Sequence, residues 1–364
     1  MGLKKKIRFL HKWLGLISGL IVFIVSITGC IYCFHDEIKD LTRDYRKVAV
    51  EDKSFILPSK LQANAKALFP DATADMVIFY GKDRPAIVYA SIKEKAHNLY
   101  FNPYSGKFLK QENIEDDFFA IIEDLHMHLW LPEAIGKQVV GISTVIFILM
   151  VFSGIVLWLP KKRKDLKNRV KIKWSAKWRR VNYDWHNVTG FYISILVVII
   201  ALTGLTFSYE WMHKAMNVVG NLGREYPEYV APKIDAKSAF STENPMDIAL
   251  SKAFKTKPND EMFFVWYQGE KSPIITGSYP DAMDFDHQSN IHFHPKTGEL
   301  LSESLYENKN PGMQLQEMNY GLHTGQYFGL TGKIIAFILS LLAAALPVTG
   351  FIIFWGRRNK RPKK

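Results

Sequence analysis

Four long runs of the chain carry no charged side chain: Leu14 to Phe34, Val139 to Pro160, the stretch after His186 as far as Tyr209, and Ile334 to Gly356. A helix rises about 1.5 Å per residue, so each run is long enough to cover a hydrocarbon layer about 30 Å thick. The pattern predicts a membrane α-helical protein with a four-transmembrane-helix bundle. Between the runs it changes to short apolar stretches bounded by turn residues, which predict strands. Met76 to Tyr80 and Pro85 to Tyr89 flank a turn at Gly81, and Met262 to Tyr267, Gly269 and Pro273 reproduce the arrangement. A later strand and turn also recurs, Asn98-Leu-Tyr-Phe-Asn-Pro103-Tyr-Ser-Gly106 against Asn290-Ile-His-Phe-His-Pro295-Lys-Thr-Gly298. Helical stretches, Ser59 to Leu68 and Met246 to Phe254, precede the strands, so two external α+β domains are expected.

The spans repeat as well. Gly15 follows His11 by four residues and Thr28-Gly29 by 17 and 18; Gly190 and Thr203-Gly204 follow His186 at the same distances. Three fixed offsets make a repeat. Gly136-Lys137 and Gly332-Lys333 open the second and fourth spans, with Gly154 and Gly350 each 18 residues beyond. Upstream stand Leu125-His126 and Leu322-His323, with His126 ten residues before its glycine and His323 nine. Each half runs out through one span and back through another, giving two parallel two-helix repeats. The expected organisation is an N-terminal segment with the first span (1–34), external domain one (35–135), span two (136–160), a basic loop (161–185), span three (186–209), external domain two (210–331), span four (332–356) and a basic tail (357–364).

Charge orients this arrangement. The net charge of +12 divides into +20 on residues 1–12, the 160–185 loop and the tail, and −8 on everything else. Lys and Arg near span ends stay cytoplasmic, so both termini and the basic loop are expected inside and the two long segments outside. Anchoring accounts for the basic loop, and no nucleic-acid partner is expected. The apolar run after the basic start exceeds an ordinary signal core, so no cleavage is expected although Ile27-Thr-Gly-Cys30 looks like a lipoprotein box. The two cysteines, Cys30 and Cys33, read as small packing residues and exclude a disulfide framework.

Four histidines fall at corresponding helix ends: His11 and His186 inside, His126 and His323 outside. Neutral imidazole is a good axial ligand for haem iron, and two such ligands close the coordination shell and favour electron transfer. Paired, the four would hold two haem b groups, one near each face. Gly15 and Gly190, on the histidines' own helical faces, are expected to leave room for a flat group. The competing reading places the histidines in an interfacial polar belt. His128 lies about 200° around a helix from His126, so both cannot serve one haem; His126 is preferred. His292 and His294 read as structural, and Pro347 as a tolerated kink.

Trp185-His186-x-x-x-Gly190, His11-x-Trp-x-Gly15, the Thr-Gly pairs, Leu125-His126-x-x-Leu129 and Leu322-His323-x-Gly325 resemble the pattern of PepSY-associated transmembrane proteins. The resemblance covers nearly the whole chain and implies a multi-pass protein of the bacterial inner membrane with two periplasmic PepSY-like domains. Some members are similar to haem-containing ferric-siderophore reductases. The extra residue between His126 and Gly136, and Pro132 there, depart from the pattern. The expected function is di-haem transmembrane electron transfer that reduces a ferric siderophore or other iron(III) chelate. The segment between spans two and three is shorter than a dinucleotide-binding βαβ unit of about 30 residues and has no G-x-G-x-x-G, so a membrane quinol or a donor protein supplies the electrons. The alternatives are a membrane-anchored, non-enzymatic PepSY binding module and, without intramembrane charges to mark a substrate path, a less favoured permease.

Overall fold

The computed structural model describes residues 2–226, 232, 234–235 and 238–358. In chain order the elements are α1 (Leu3–Tyr32), α2 (His35–Thr42), α3 (Pro58–Leu68), β1 (Thr73–Phe79), β2 (Ala86–Ile92), β3 (Lys95–Phe101), β4 (Phe108–Asn113), α4 (Phe118–His128), α5 (Glu133–Trp158), α6 (Trp178–Ser208), α7 (Glu210–Gly220), α8 (Pro245–Thr256), β5 (Met262–Trp266), β6 (Ile274–Tyr279), β7 (Ser289–Phe293), β8 (Leu300–Ser304), α9 (Pro311–Glu317), α10 (Asn319–Thr324) and α11 (Gly329–Arg358). They form two compact units. One holds the residues up to Phe34, Ile122–His213 and those from Leu322 on; the other holds His35–Ile121 and Lys214–Gly321.

The first unit is a helix bundle. Four of its helical stretches, Leu3–Tyr32, Glu133–Trp158, Trp178–Ser208 and Gln326–Gly356, are long and apolar enough to cross a membrane. Helix α1 packs against α5 and α11, and α6 packs against the same two, closing a ring in which each helix has its repeat equivalent opposite. Small residues permit the close approach that packing in lipid requires: a Cβ on Gly19 would touch Pro347 at 3.4 Å, and one on Gly141 would strike the Tyr209 ring. The outward surface is apolar, with Ile17, Leu20 and Ile195 each about 70% exposed. Helix α11 continues through Pro347 without interruption. Residues 122–135 and 322–331, which hydropathy alone groups with the external segments, belong to this unit.

The second unit departs from the expectation of two domains. Among the described residues its eight strands form one sheet in the order β4-β3-β2-β1-β5-β6-β7-β8, antiparallel throughout. The two first strands join the halves, pairing Met76 with Trp266, Val77 with Val265, Ile78 with Phe264 and Phe79 with Phe263. A strand left at an edge would present a row of unpaired N–H and C=O groups, and this pairing removes one such edge from each half. One core then serves both halves: Leu61, Val77, Phe79, Val88, Leu99 and Phe101 cluster with Leu250, Phe263, Val265, Ile274, Ile291 and Phe293.

Local signals explain the matching elements. Helices α3 and α8 both begin with proline in the first turn, where its missing N–H costs nothing. Asn244 caps α8 by accepting the N–H of Met246 at 2.9 Å. Asp247 of α8 accepts the backbone N–H of Ser59 at 2.9 Å and its hydroxyl as well, tying the two helices together. The Pro-x-x-Gly turns place Gly106 at φ +69° and Gly298 at φ +66°, a conformation that glycine adopts freely. Beside each turn the register slips at the same place, between Tyr100 and Phe101 and between His292 and Phe293.

Phe263 is fully buried at the seam. Phe263→Ala should cost about 3–5 kcal/mol of stability, read by thermal unfolding of the sheet signal in circular dichroism. A loss under about 1 kcal/mol would contradict a core shared across the β1–β5 pair.

Candidate functional site

The bundle positions the four histidines through one contact used four times. His11 of α1 meets Ser153-Gly154 of α5, and His186 of α6 meets Thr349-Gly350 of α11. At the other ends of α1 and α6, His126 of α4 meets Thr28-Gly29, and His323 of α10 meets Thr203-Gly204. Each imidazole Nδ1 lies on the hydroxyl oxygen of that Ser or Thr, at 2.8 Å for Ser153, 2.8 Å for Thr349, 3.0 Å for Thr28 and 3.1 Å for Thr203. Each imidazole Cε1 rests on the glycine. A Cβ there would come within 3.4 Å at Gly154, 3.3 Å at Gly350, 3.2 Å at Gly29 and 2.9 Å at Gly204. The hydroxyl supplies polarity and the glycine supplies the space for the ring to lie against helix backbone.

This geometry assigns the tautomer. The hydroxyl proton is engaged by the hydroxyl's own helix: Ser153 donates to Met150 O, Thr28 to Ile24 and Val25 O, Thr203 to Ile199 and Ile200 O, and Thr349 to Ala345 and Leu346 O. The oxygen is therefore left to accept from Nδ1–H. A carbonyl three residues before the hydroxyl also faces Nδ1, with Ile200 O 2.9 Å from His323 and Val25, Met150 and Leu346 in the same relation to His126, His11 and His186. A carbonyl can only accept. With Nδ1 protonated, Nε2 keeps its lone pair and makes no hydrogen bond to the described residues. Fixing one ring nitrogen so that the other is basic and oriented is the arrangement a metal-bound imidazole requires.

The histidines also pair. The rings of His126 and His323 have centroids 6.2 Å apart. Two imidazoles binding one metal ion at about 2.0–2.1 Å each place their centroids about 6 Å apart, a separation close to that of this pair. His11 is an electrostatic neighbour of His186. Along α1 and α6, 17 residues separate the histidine from the Thr that receives the other pair, or about 26 Å of helix rise. The two pairs are thus near opposite ends of the spanning helices.

One detail differs from the reading of sequence alone. Gly15 and Gly190 do not open space beside the imidazoles: a Cβ on Gly15 would meet the Met150 side chain at 2.7 Å, and one on Gly190 would meet Leu346 at 3.7 Å. They seat neighbouring helices, and the glycines against the rings are Gly154, Gly350, Gly29 and Gly204. His128 is not brought opposite His323; its Nδ1 bonds to the Asp124 carboxylate at 2.8 Å. The extra residue in the first half is taken up in the turn after α4, where Leu129 and Trp130 adopt left-handed conformations, whereas the second half turns at Gly325. In both halves the glycine opening the following span lies on this turn. A Cβ on Gly136 would fall 2.2 Å from His128 O, and one on Gly332 would fall 2.1 Å from Gly325 O.

Sequence reasoning missed Ser153 and Thr349 as partners of the inner histidines. The signal was present, since Ser-Gly and Thr-Gly stand at equivalent places in spans two and four. Cys30 and Cys33 are buried and form no disulfide, with thiols directed at the α11 carbonyls of Phe337 and Lys333. His294 is held by the turn that follows it, its Nδ1 accepting the N–H of Lys296 and Thr297. Among the described residues no three His, Cys, Asp or Glu side chains converge on a metal position.

A bundle of four helices long and apolar enough to cross a membrane, with histidines near both of its ends, defines a class of multi-pass membrane protein. Residues 8–357 match the model of the PepSY-associated TM region, and the chain belongs to that family. A comparison with curated proteins finds no match.

Histidine labelled with 15N should show Nδ1–H, Nε2-basic tautomers for these four residues in the solid-state NMR spectrum of the membrane-embedded protein. Thr203→Val should change the His323 signals and leave those of His11 and His186 in place. Nε2–H tautomers at all four would contradict the hydrogen-bond assignment.

Proposed function

We propose that this protein is a di-haem electron carrier of the bacterial inner membrane that reduces iron(III) chelates, among them ferric siderophores, at the periplasmic face. The observation that supports it most is the fourfold imidazole contact: Nδ1 held by a hydroxyl, Cε1 on a glycine and Nε2 left basic, with the His126 and His323 rings 6.2 Å apart. A polar belt at the lipid interface has no need of this arrangement, because a histidine there exposes its ring to headgroups and water.

In this reading His11 with His186, and His126 with His323, would hold two haem b groups through Nε2. Bound haem supplies one-electron redox chemistry, and bis-imidazole ligation leaves no open position for oxygen. The chain's residues hold and orient. Thr28, Thr203, Ser153 and Thr349 fix ring rotation and keep Nδ1 protonated, and the apolar helices exclude water from the rings. The +20 charge on the basic segments favours their placement in the cytoplasm and the sheet unit's placement outside. One electron converts Fe(III) to Fe(II), which weakens a hard-oxygen chelate and releases iron. Because the 161–185 loop is shorter than a dinucleotide-binding unit of about 30 residues, a membrane quinol or a donor protein supplies the electrons.

The purified protein should show the absorption bands of low-spin haem. His11→Ala or His186→Ala should remove about half of the reduced-minus-oxidised amplitude, and His126→Ala or His323→Ala the other half. Full haem content in all four variants would sink the ligand assignment. Protein without haem would favour the non-enzymatic binding module.

The acceptor is tested separately. Anaerobically reduced protein should be reoxidised by ferric siderophores, with Fe(II) captured by a chromogenic chelator in step with haem oxidation. Reoxidation by other acceptors but by no ferric chelate would leave electron transfer standing and remove the iron substrate.

A further inference from the structure

A buried carboxylate in the sheet unit, that of Asp286, has both oxygens without a hydrogen-bond partner among the described residues. Asp286 lies in the connection between β6 and β7 and is 3% exposed. The carboxylate lies flat against Gly321 of α10, where a Cβ would stand 2.1 Å from Oδ2 and 2.6 Å from Oδ1. The Gly321 backbone faces it without closing a hydrogen bond of acceptable geometry.

The surroundings are acidic. Asp284 accepts the backbone N–H of Asp286 through Oδ1 at 3.1 Å, and its carboxylate adjoins that of Asp286. Glu317 of α9 adds a third negative charge close by. The Lys309 ammonium, itself buried, binds Glu317 Oε1 at 2.8 Å and the Gln288 carbonyl at 2.7 Å. Three carboxylates and one ammonium leave an excess of two negative charges. Burial, and then the charge of Asp284, pushes the Asp286 carboxyl up to about 7, which reflects the cost of keeping both aspartates ionised and bare.

We propose that Asp284 and Asp286 bind a hard divalent cation, with Ca2+ the ion that fits best. A proton shared between the two carboxylates would satisfy only one of the two orphaned oxygens of Asp286, whereas a cation engages both. The double negative excess matches a divalent charge. Among the described residues no third carboxylate or imidazole joins the two aspartates at ligand distance, so backbone carbonyls and water would complete the shell, as they do for oxygen-loving cations and not for zinc. Ca2+ tolerates the irregular geometry of a connecting loop; Mg2+ demands a near-ideal octahedron. The site lies within the sheet unit and does not depend on haem.

The test uses the full chain in detergent, stripped with a chelator and titrated with Ca2+ or Mg2+ by calorimetry, with thermal unfolding followed in parallel. The expected result is saturable binding of one Ca2+ per chain, a higher unfolding temperature with Ca2+, and Mg2+ affinity at least about tenfold lower. Asp286→Asn should abolish both effects. Asp284→Asn should weaken Ca2+ binding at least about tenfold and serves as the test if Asp286→Asn does not fold. No binding of either cation to the native chain, or unchanged Ca2+ binding in the folded variants, overturns the proposal. A native chain that binds no cation, with Asp286→Asn unfolding at a higher temperature than native, would show that the carboxyl carries a proton instead.

Discussion

An imidazole N–H inside an apolar bundle must find an acceptor, and the helix packing of the first unit follows from how that is done. Water cannot satisfy the ring there, and an unpaired donor costs more in a low dielectric than in solution. The Ser or Thr hydroxyl is suited to the task because its own proton is returned to the preceding turn of its helix, leaving an acceptor on the helix surface. The glycine beside it removes the one atom that would hold the ring away. The contact therefore sets the distance between α1 and α5, between α6 and α11, and between each short histidine-bearing helix and its span. A change from hydroxyl to methyl at Thr28 or Thr203 keeps nearly the same volume but removes the reason for the ring to lie where it does.

The sheet unit solves a different problem with the same duplication. Each four-stranded half has one face and one short helix with which to build a core, which is little for independent stability. Joining β1 to β5 merges the two faces, and the interior from Leu61 to Phe293 becomes a single cluster. The Ser59 to Asp247 contact repeats the logic with polar groups, since each half supplies what the other lacks.

Much of this was legible in the residues. Charge-free runs marked the spans, and histidine, Thr-Gly and opening-glycine offsets marked the repeat, because helix geometry ties spacing to facing. The Pro-x-x-Gly turns at Gly106 and Gly298 were readable because only a few residue types adopt their backbone easily. What stayed hidden was contact between elements distant in the chain. Nothing in the run from Met76 or from Met262 says that these two strands pair with each other. The glycine four residues after each histidine looked like a space-maker by spacing alone, yet a side chain from another helix, Met150 or Leu346, occupies that space. Periodicity reports which face a residue is on; it does not report what arrives there.

In both units, elements pair with their own repeat equivalents. His126 faces His323, β1 joins β5, and α1 and α6 take equivalent places in the helix ring. A polypeptide half this length, present in two copies, would meet itself across a twofold axis in the same way, with each copy giving one histidine to each pair. The present chain is then a tethered form of a symmetric dimer. Tethering frees the two copies from having to remain identical. That freedom is visible where Ser153 stands opposite Thr349, where Pro347 occurs in only one half, and where one turn runs through Leu129 and Trp130 while its counterpart uses Gly325. An ancestor with identical halves would have had matched sites at each level; a tethered pair can make one half differ from the other, and with it the two members of every histidine pair.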